Sequence, residues 1–167
     1  MPENSDYKRI IIPAFTVLWM AVIFWFSSAP AKESTHMSLS AGRMAARIFV
    51  PAFDEWAPEK QDAFAEKIDY PVRKTAHAGE YAVLGVWMYG TVNSFSGRKR
   101  VCRGVTAWAA ASVYAATDEF HQLFVPGRSG QISDVLLDST GVAAGILLCM
   151  AAASLIKRQT RYSGETS

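Results

Sequence analysis

Cysteine is nearly missing from this 167-residue sequence. Cys102 and Cys149 fall near the ends of predicted apolar spans, on the side where basic residues cluster, and neither belongs to a C-x-x-C redox or zinc pair. That placement argues against a disulfide. Excess charge is missing too: the formal net charge is +2, too small for a nucleic-acid-binding surface. Internal repeats, low-complexity tracts and the H-E-x-x-H ligand spacing are also absent from the sequence. Apolar residues are abundant, making up 50% of the chain. They are gathered in blocks, unlike the even spread of a soluble domain, and the length suits one domain.

The blocks predict an all-α fold, an integral membrane bundle of about four transmembrane helices over 10–27, 74–93, 104–125 and 134–156. A helix needs roughly 17–25 residues to cross the hydrocarbon, and the first block is near the lower limit. Its end carries an A-x-A-like triplet, Ala29-Pro30-Ala31, which a cleaved signal peptide would also show. The Trp and Phe residues just before it fit an interfacial anchor better. The spans form one membrane domain at 10–156, between tails at 1–9 and 157–167. Gly141 and Gly145 make a G-x-x-x-G pair, and the third block is rich in alanine. Such surfaces let helices approach closely in lipid.

Charge sets the orientation. Lys8 and Arg9, the run Arg98-Lys99-Arg100 with Arg103, and the trio Lys157, Arg158 and Arg161 flank apolar blocks, whereas the connection after the third block carries only Arg128. Basic residues collect on the cytoplasmic side, so both termini are expected in the cytoplasm of a multi-pass protein of the cytoplasmic (inner) membrane. Residues 28–73 then form an extracytoplasmic loop of mixed charge. Within it Met37, Ala41, Met44 and Ile48 share one helical face, and Phe64 and Ile68 suggest another after Pro58. The segment reads as an amphipathic lid on the outer membrane surface, or equally as a solvated loop with a few packed apolar residues.

In this topology four polar stretches reach one depth, at or just below the outer interface. They are Ser27 and Ser28; Arg73, Lys74, His77, Glu80 and Tyr81; Asp118, Glu119, His121 and Gln122; and Arg128, Asp134 and Asp138. A charged residue at the centre of a membrane helix is unfavourable by about 2.5–3.5 kcal/mol, less near the interface. The cost is relieved if the groups face one another or water. The pairs Arg73/His77, Lys74/His77, His77/Glu80, Asp118/His121 and Asp134/Asp138 lie three or four residues apart, on shared helical faces. One such pair would be a structural ion pair; several at one depth point to a functional cavity.

The run Lys74-Thr75-Ala76-His77-Ala78-Gly79-Glu80-Tyr81 resembles the K-x-x-H-x-x-E-Y signature of the VanZ-like membrane family. Asp118-Glu119-Phe120-His121-Gln122, continuing through Phe124 and Pro126 to Arg128, is similar to its D-E-x-H-Q-x-F-x-P-x-R signature. Asp134 and Asp138 stand where the family has D-x-x-x-D, and Phe26-Ser27-Ser28 also matches. The resemblance spans almost the whole chain, although the segment 32–74 carries no recognised motif. It implies a bacterial cell-envelope protein. The family's namesake is linked to resistance against the glycopeptide teicoplanin, but the resemblance supplies no biochemical activity.

Two functional classes follow. In an enzyme acting on a lipid or lipid-linked envelope precursor, a hydrolase or transferase, His121 would be general acid or base with Asp118 fixing its tautomer. Glu119, His77 and Glu80 would complete the catalytic set, and Arg73, Lys74 and Arg128 would hold a phosphate. Tyr81, Gln122, Asp134, Asp138, Ser27 and Ser28 would line the substrate site. In a non-catalytic binder, the same cations would recognise an anionic lipid headgroup or envelope precursor and His121 would be dispensable. A divalent metal could use the His and carboxylate groups, but no ligand spacing demands one, and no other cofactor is implied. A small proton-linked transporter fits less well, since the polar groups sit near one face.

Overall fold

The computed structural model describes residues 3–97 and 99–165. Arg98 of the basic connection lies outside them, as do the side chains of Arg158 and Arg161. The described residues form helices and no strand: α1 (Glu3–Ser27), α2 (Ala31–Phe49), a 3-10 turn (Phe53–Glu55), α3 (Pro58–Phe95), α4 (Arg100–Gln122) and α5 (Ile132–Glu165). Proline and glycine punctuate them. Pro30 precedes α2, and Pro58 opens α3 at the position where a missing N–H removes nothing from the helix. Pro126 and Gly127 turn the chain between α4 and α5, with Gly127 at φ 75°, in the left-handed region that suits glycine. The Ala31 amide donates to the Pro126 carbonyl at 3.1 Å, tying the start of α2 to this turn.

The stretch 28–73, expected as an extracytoplasmic loop with two helical faces, holds α2, the 3-10 turn and the first part of α3. α2 is followed by the first part of α3, which continues past Pro71 to Phe95. Pro71 removes one amide from the hydrogen-bond ladder without ending the helix. The register of α2 keeps Met37, Ala41, Met44 and Ile48 on one exposed side. Ser34, Ser38, Gly42 and Ala46 face inward, while Met44 and Ile48 are exposed and Met37 and Ala41 border a cavity. Small residues let α2 lie close to α3, with Ile68 next to Gly42. The larger apolar residues point away from the protein.

A similar pattern recurs in α4, although Ile23, Leu84, Tyr89, Val142 and Ile146 form a buried apolar core. In α4 the inward positions are Gly104, Ala107, Ala111, Ala115 and the polar Asp118, Glu119 and Gln122, whereas Val101, Val105, Val113 and Phe120 are exposed. Leu136, Leu147, Leu148, Leu155 and Ile156 of α5 are exposed too. Exposed apolar residues around an interior that includes small and polar groups suit lipid contact. Tyr7–Ser27 and Ile132–Lys157 are long and apolar enough to cross a membrane. The other two expected spans, in α3 and α4, do not reach that standard, because His77, Glu80, Asp118, Glu119, His121 and Gln122 dilute them.

α3 packs against α1, α2, α4 and α5 and organises the bundle. Its closest approach is to α5, where the G-x-x-x-G pair is used: a methyl group on Gly141 or Gly145 would collide with the carbonyl of Ala78 or Ala82, and one on Gly85 with that of Val142. Polar ties cross the other seams. Thr16 and Thr91 share a hydrogen bond at 2.7 Å, Trp19 Nε1 donates to the Glu80 carbonyl at 2.9 Å, and Tyr114 Oη donates to the Met20 carbonyl at 2.7 Å. At the end opposite the polar residues, Arg9 donates to the Ser94 carbonyl at 3.3 Å, and Arg100 bonds Ser154 at 2.8 Å and also the Met150 carbonyl.

Candidate functional site

The polar residues divide into a buried cluster, a charged wall and a rim. The buried cluster joins α1, α3 and α4. Tyr81 is fully buried and donates its phenol to Asp118 Oδ2 at 3.3 Å; Gln122 Nε2 donates to Ser27 Oγ at 3.0 Å; and both Ser27 and Gln122 lie beside the Asp118 carboxyl. Glu119, one position on, accepts the Gln131 backbone amide at 2.9 Å and so anchors the turn leading into α5. Asp138 is buried nearby. Asp118 Oδ1 and Asp138 Oδ1 have no partner among the described residues. Ser27, Tyr81, Asp118, Glu119 and Asp138 are buried and tie helices together, while Gln122 also reaches a cavity.

The charged wall lies between two cavities at the same end of the bundle. One, of about 160 Å³, is bordered by Phe26, Met37, Ala41, Val72 and Ala76 on its apolar side, with Glu80 at its polar end. The other, of about 140 Å³, is bordered by Tyr70, Lys74, Gln122, Ser129, Gln131 and Asp134. Arg73, His77 and Arg128 line both. Lys74 is paired with Asp134 across the α3–α5 seam, Arg73 Nη2 with Asp69 Oδ2 at 3.3 Å, and His77 Nδ1 faces Glu80 Oε2 at 3.9 Å.

Arg128 differs from these cations. Its Nε and Nη2 donate to the carbonyls of Ala29 and Phe26 at 3.1 and 3.3 Å, at the end of α1. It has no ion-pair partner among the described residues. Burial, and after it the cation of Arg73, lower the Arg128 guanidinium from its ordinary value, while the carboxylates of Asp118, Glu119 and Glu80 act the other way. Two partly buried guanidiniums on one wall repel each other, and an anion held between them would relieve that repulsion.

His121 stands on the rim. Its ring lies 4.6 Å from that of Phe24 and its Nε2 is 3.2 Å from Ser28 Oγ, so it faces α1 and lines neither cavity. Asp118, expected to fix the His121 tautomer, bonds Tyr81 instead. The structure therefore brings Arg73, Lys74, His77, Glu80, Gln122, Arg128 and Asp134 to the cavities. It sets Ser27, Tyr81, Asp118, Glu119 and Asp138 behind them, and leaves Ser28 and His121 outside. Among the described residues no group of three or more His, Cys, Asp or Glu is arranged to hold a metal ion.

Asp69 was missed by the sequence reading. It accepts a hydrogen bond from Ser38 of α2 while pairing with Arg73, and so couples the docking of α2 to the position of a wall cation. Its spacing to Arg73, four residues on one helix, was the available signal. Asp69→Ala is expected to loosen α2 by about 1–3 kcal/mol, the cost of leaving part-buried polar groups without partners. Amide exchange over 31–49 should then accelerate without a change over α5; unchanged exchange in α2 would contradict the coupling.

A helical bundle with an apolar exterior and a charged, two-chambered mouth at one end is the class that fold and site define. Two of its helices, Tyr7–Ser27 and Ile132–Lys157, have membrane-spanning length and composition. A family model described as VanZ/LLP1 matches residues 13–156, and the chain belongs to that family. No curated protein and no solved structure matches the chain.

Proposed function

We propose that this is a four-span protein of the bacterial cytoplasmic membrane that holds the anionic headgroup of a lipid or lipid-linked envelope precursor in the cavities at its extracytoplasmic mouth. The observation that carries the reading is Arg128, fixed by two carbonyls without an ion-pair partner among the described residues, on the wall that both cavities share. Four spans are supported by the exposed apolar residues of α4 and by the turning of its polar residues inward, which lets a helix of modest hydropathy sit in lipid. α3 has 38 residues and is about 57 Å long at the usual rise, nearly twice the hydrocarbon thickness. In this reading its first part stands outside the membrane with α2. The basic residues Arg9, Arg100 and Arg103 at the opposite end support cytoplasmic termini.

A second reading, a membrane-embedded hydrolase or transferase, draws on His77 and Glu80, an acid–base pair bordering the apolar cavity. In either reading an effect on glycopeptide (teicoplanin) resistance would be a consequence of capturing an envelope component. Mass spectrometry of lipids retained by purified protein separates the two. Headgroup binding predicts an anionic species on the wild type and on His121→Ala that is lost from Arg128→Ala, with no new product. A product formed by wild type and missing with His77→Ala would favour the enzyme, and retention of no anionic lipid by the wild type would refute binding.

A further inference from the structure

Resting on the headgroup-binding reading, we infer that the ligand is a phosphodiester lipid: its single phosphate charge lies at the Arg73–Arg128 wall, with an apolar chain leaving on one side and a neutral, hydroxyl-bearing group on the other. The argument begins with the position of the wall. Arg73, His77 and Arg128 border both cavities, so a phosphate held there has space on each side. The two spaces differ in chemistry. On the α2 side Phe26, Met37 and Val72 offer carbon surface to a chain. On the α5 side Gln122, Ser129, Gln131 and Asp134 offer amide, hydroxyl and carboxylate groups to hydroxyls.

Size and charge narrow the headgroup. The polar cavity, about 140 Å³, has room for a glyceryl group. Lys74 and Arg73 already face Asp134 and Asp69, and His77 faces Glu80, so the three have acidic partners. Arg128 remains as the wall cation without an ion-pair partner among the described residues, which matches one negative charge. The Asp134 carboxylate in the polar cavity would repel a second charge there while accepting a hydroxyl. A lipid phosphomonoester, with up to two charges and nothing beyond the phosphate, would leave the polar cavity unused.

Purified full-length protein in nanodiscs of neutral lipid can be titrated with four probes: phosphatidylglycerol, phosphatidic acid, a polyprenyl phosphate, and a polyprenyl-phosphate monosaccharide. Each diester is compared with the monoester of the same chain, and the better-bound chain type identifies the source. Two neutral hydrogen bonds from the polar cavity correspond to about a tenfold preference for the diester. Ser129→Ala combined with Gln131→Ala should erase that preference. Those side chains are exposed, and the anchoring bond to Glu119 uses the Gln131 backbone, so the fold is retained. Equal or tighter binding of both monoesters would overturn the inference while the headgroup reading stands. Failure of all four probes to bind the wild type would overturn both.

Discussion

Arg128→Ala is expected to weaken retention of anionic lipid by about ten- to hundredfold, the equivalent of one charge-assisted hydrogen bond of about 1.5–3 kcal/mol. The effect is large because the other wall cations face acids of their own, whereas Arg128 is held by the Ala29 and Phe26 carbonyls and has its charge uncompensated by an ion pair among the described residues. Truncation also removes two ties between the α4–α5 turn and the end of α1, so Arg128→Lys is the necessary companion. Lysine restores the charge but not the fork that spans two carbonyls. Partial recovery with Lys would assign the loss to charge. Equally poor binding by Ala and Lys, accompanied by faster amide exchange in the turn, would assign it to positioning. Unchanged lipid retention in Arg128→Ala would contradict the proposed site.

Gly145→Leu is expected to be the most damaging substitution in the bundle. Even a methyl group there would overlap the Ala82 carbonyl, which is backbone and cannot rotate aside. α5 would have to move away from α3, breaking the Lys74–Asp134 pair along with the seam. Overpacking in a close-packed interior costs about 1–3 kcal/mol, and the rigid neighbour places this case at the upper end or beyond. Thermal unfolding in detergent should shift down sharply, with little protein recovered from the membrane fraction. Gly79→Leu is the matched control, since nothing lies within 4 Å of a methyl group at that position on α3. Similar stability for the two variants would contradict the close α3–α5 packing.

The sequence disclosed helical content, the G-x-x-x-G seam and most of the wall, because each is a local pattern. The pairs Lys74/His77 and His77/Glu80 each share a face by spacing alone, and Pro126-Gly127 marks a turn in any fold. It did not disclose the partners. Lys74 meets Asp134 across 60 positions, and Arg128 reaches carbonyls at the end of α1. His121 shows how coarse a shared face is. Three residues along a helix leave an offset of about 60°, and four leave about 40°. Gln122 therefore follows Asp118 into the interior while His121 turns toward Phe24. α2 was legible as a face but not as a contact. Spacing puts Met37, Ala41, Met44 and Ile48 on one side, but only the structure shows that serine, glycine and alanine meet α3 while those apolar residues stay exposed.

The bundle is proposed to sit in lipid with its charged mouth outside the cell, and cysteine labelling tests that placement most directly. Cys102, exposed near the start of α4, supplies a native probe at the basic end. In a Cys149→Ser background, Ser129→Cys places a second probe beside Arg128. Intact cells, or spheroplasts where an outer membrane blocks access, treated with a membrane-impermeant maleimide should label position 129 at once and Cys102 only after lysis. Labelling of Cys102 in intact cells, with position 129 protected until lysis, would turn the molecule over and contradict the account.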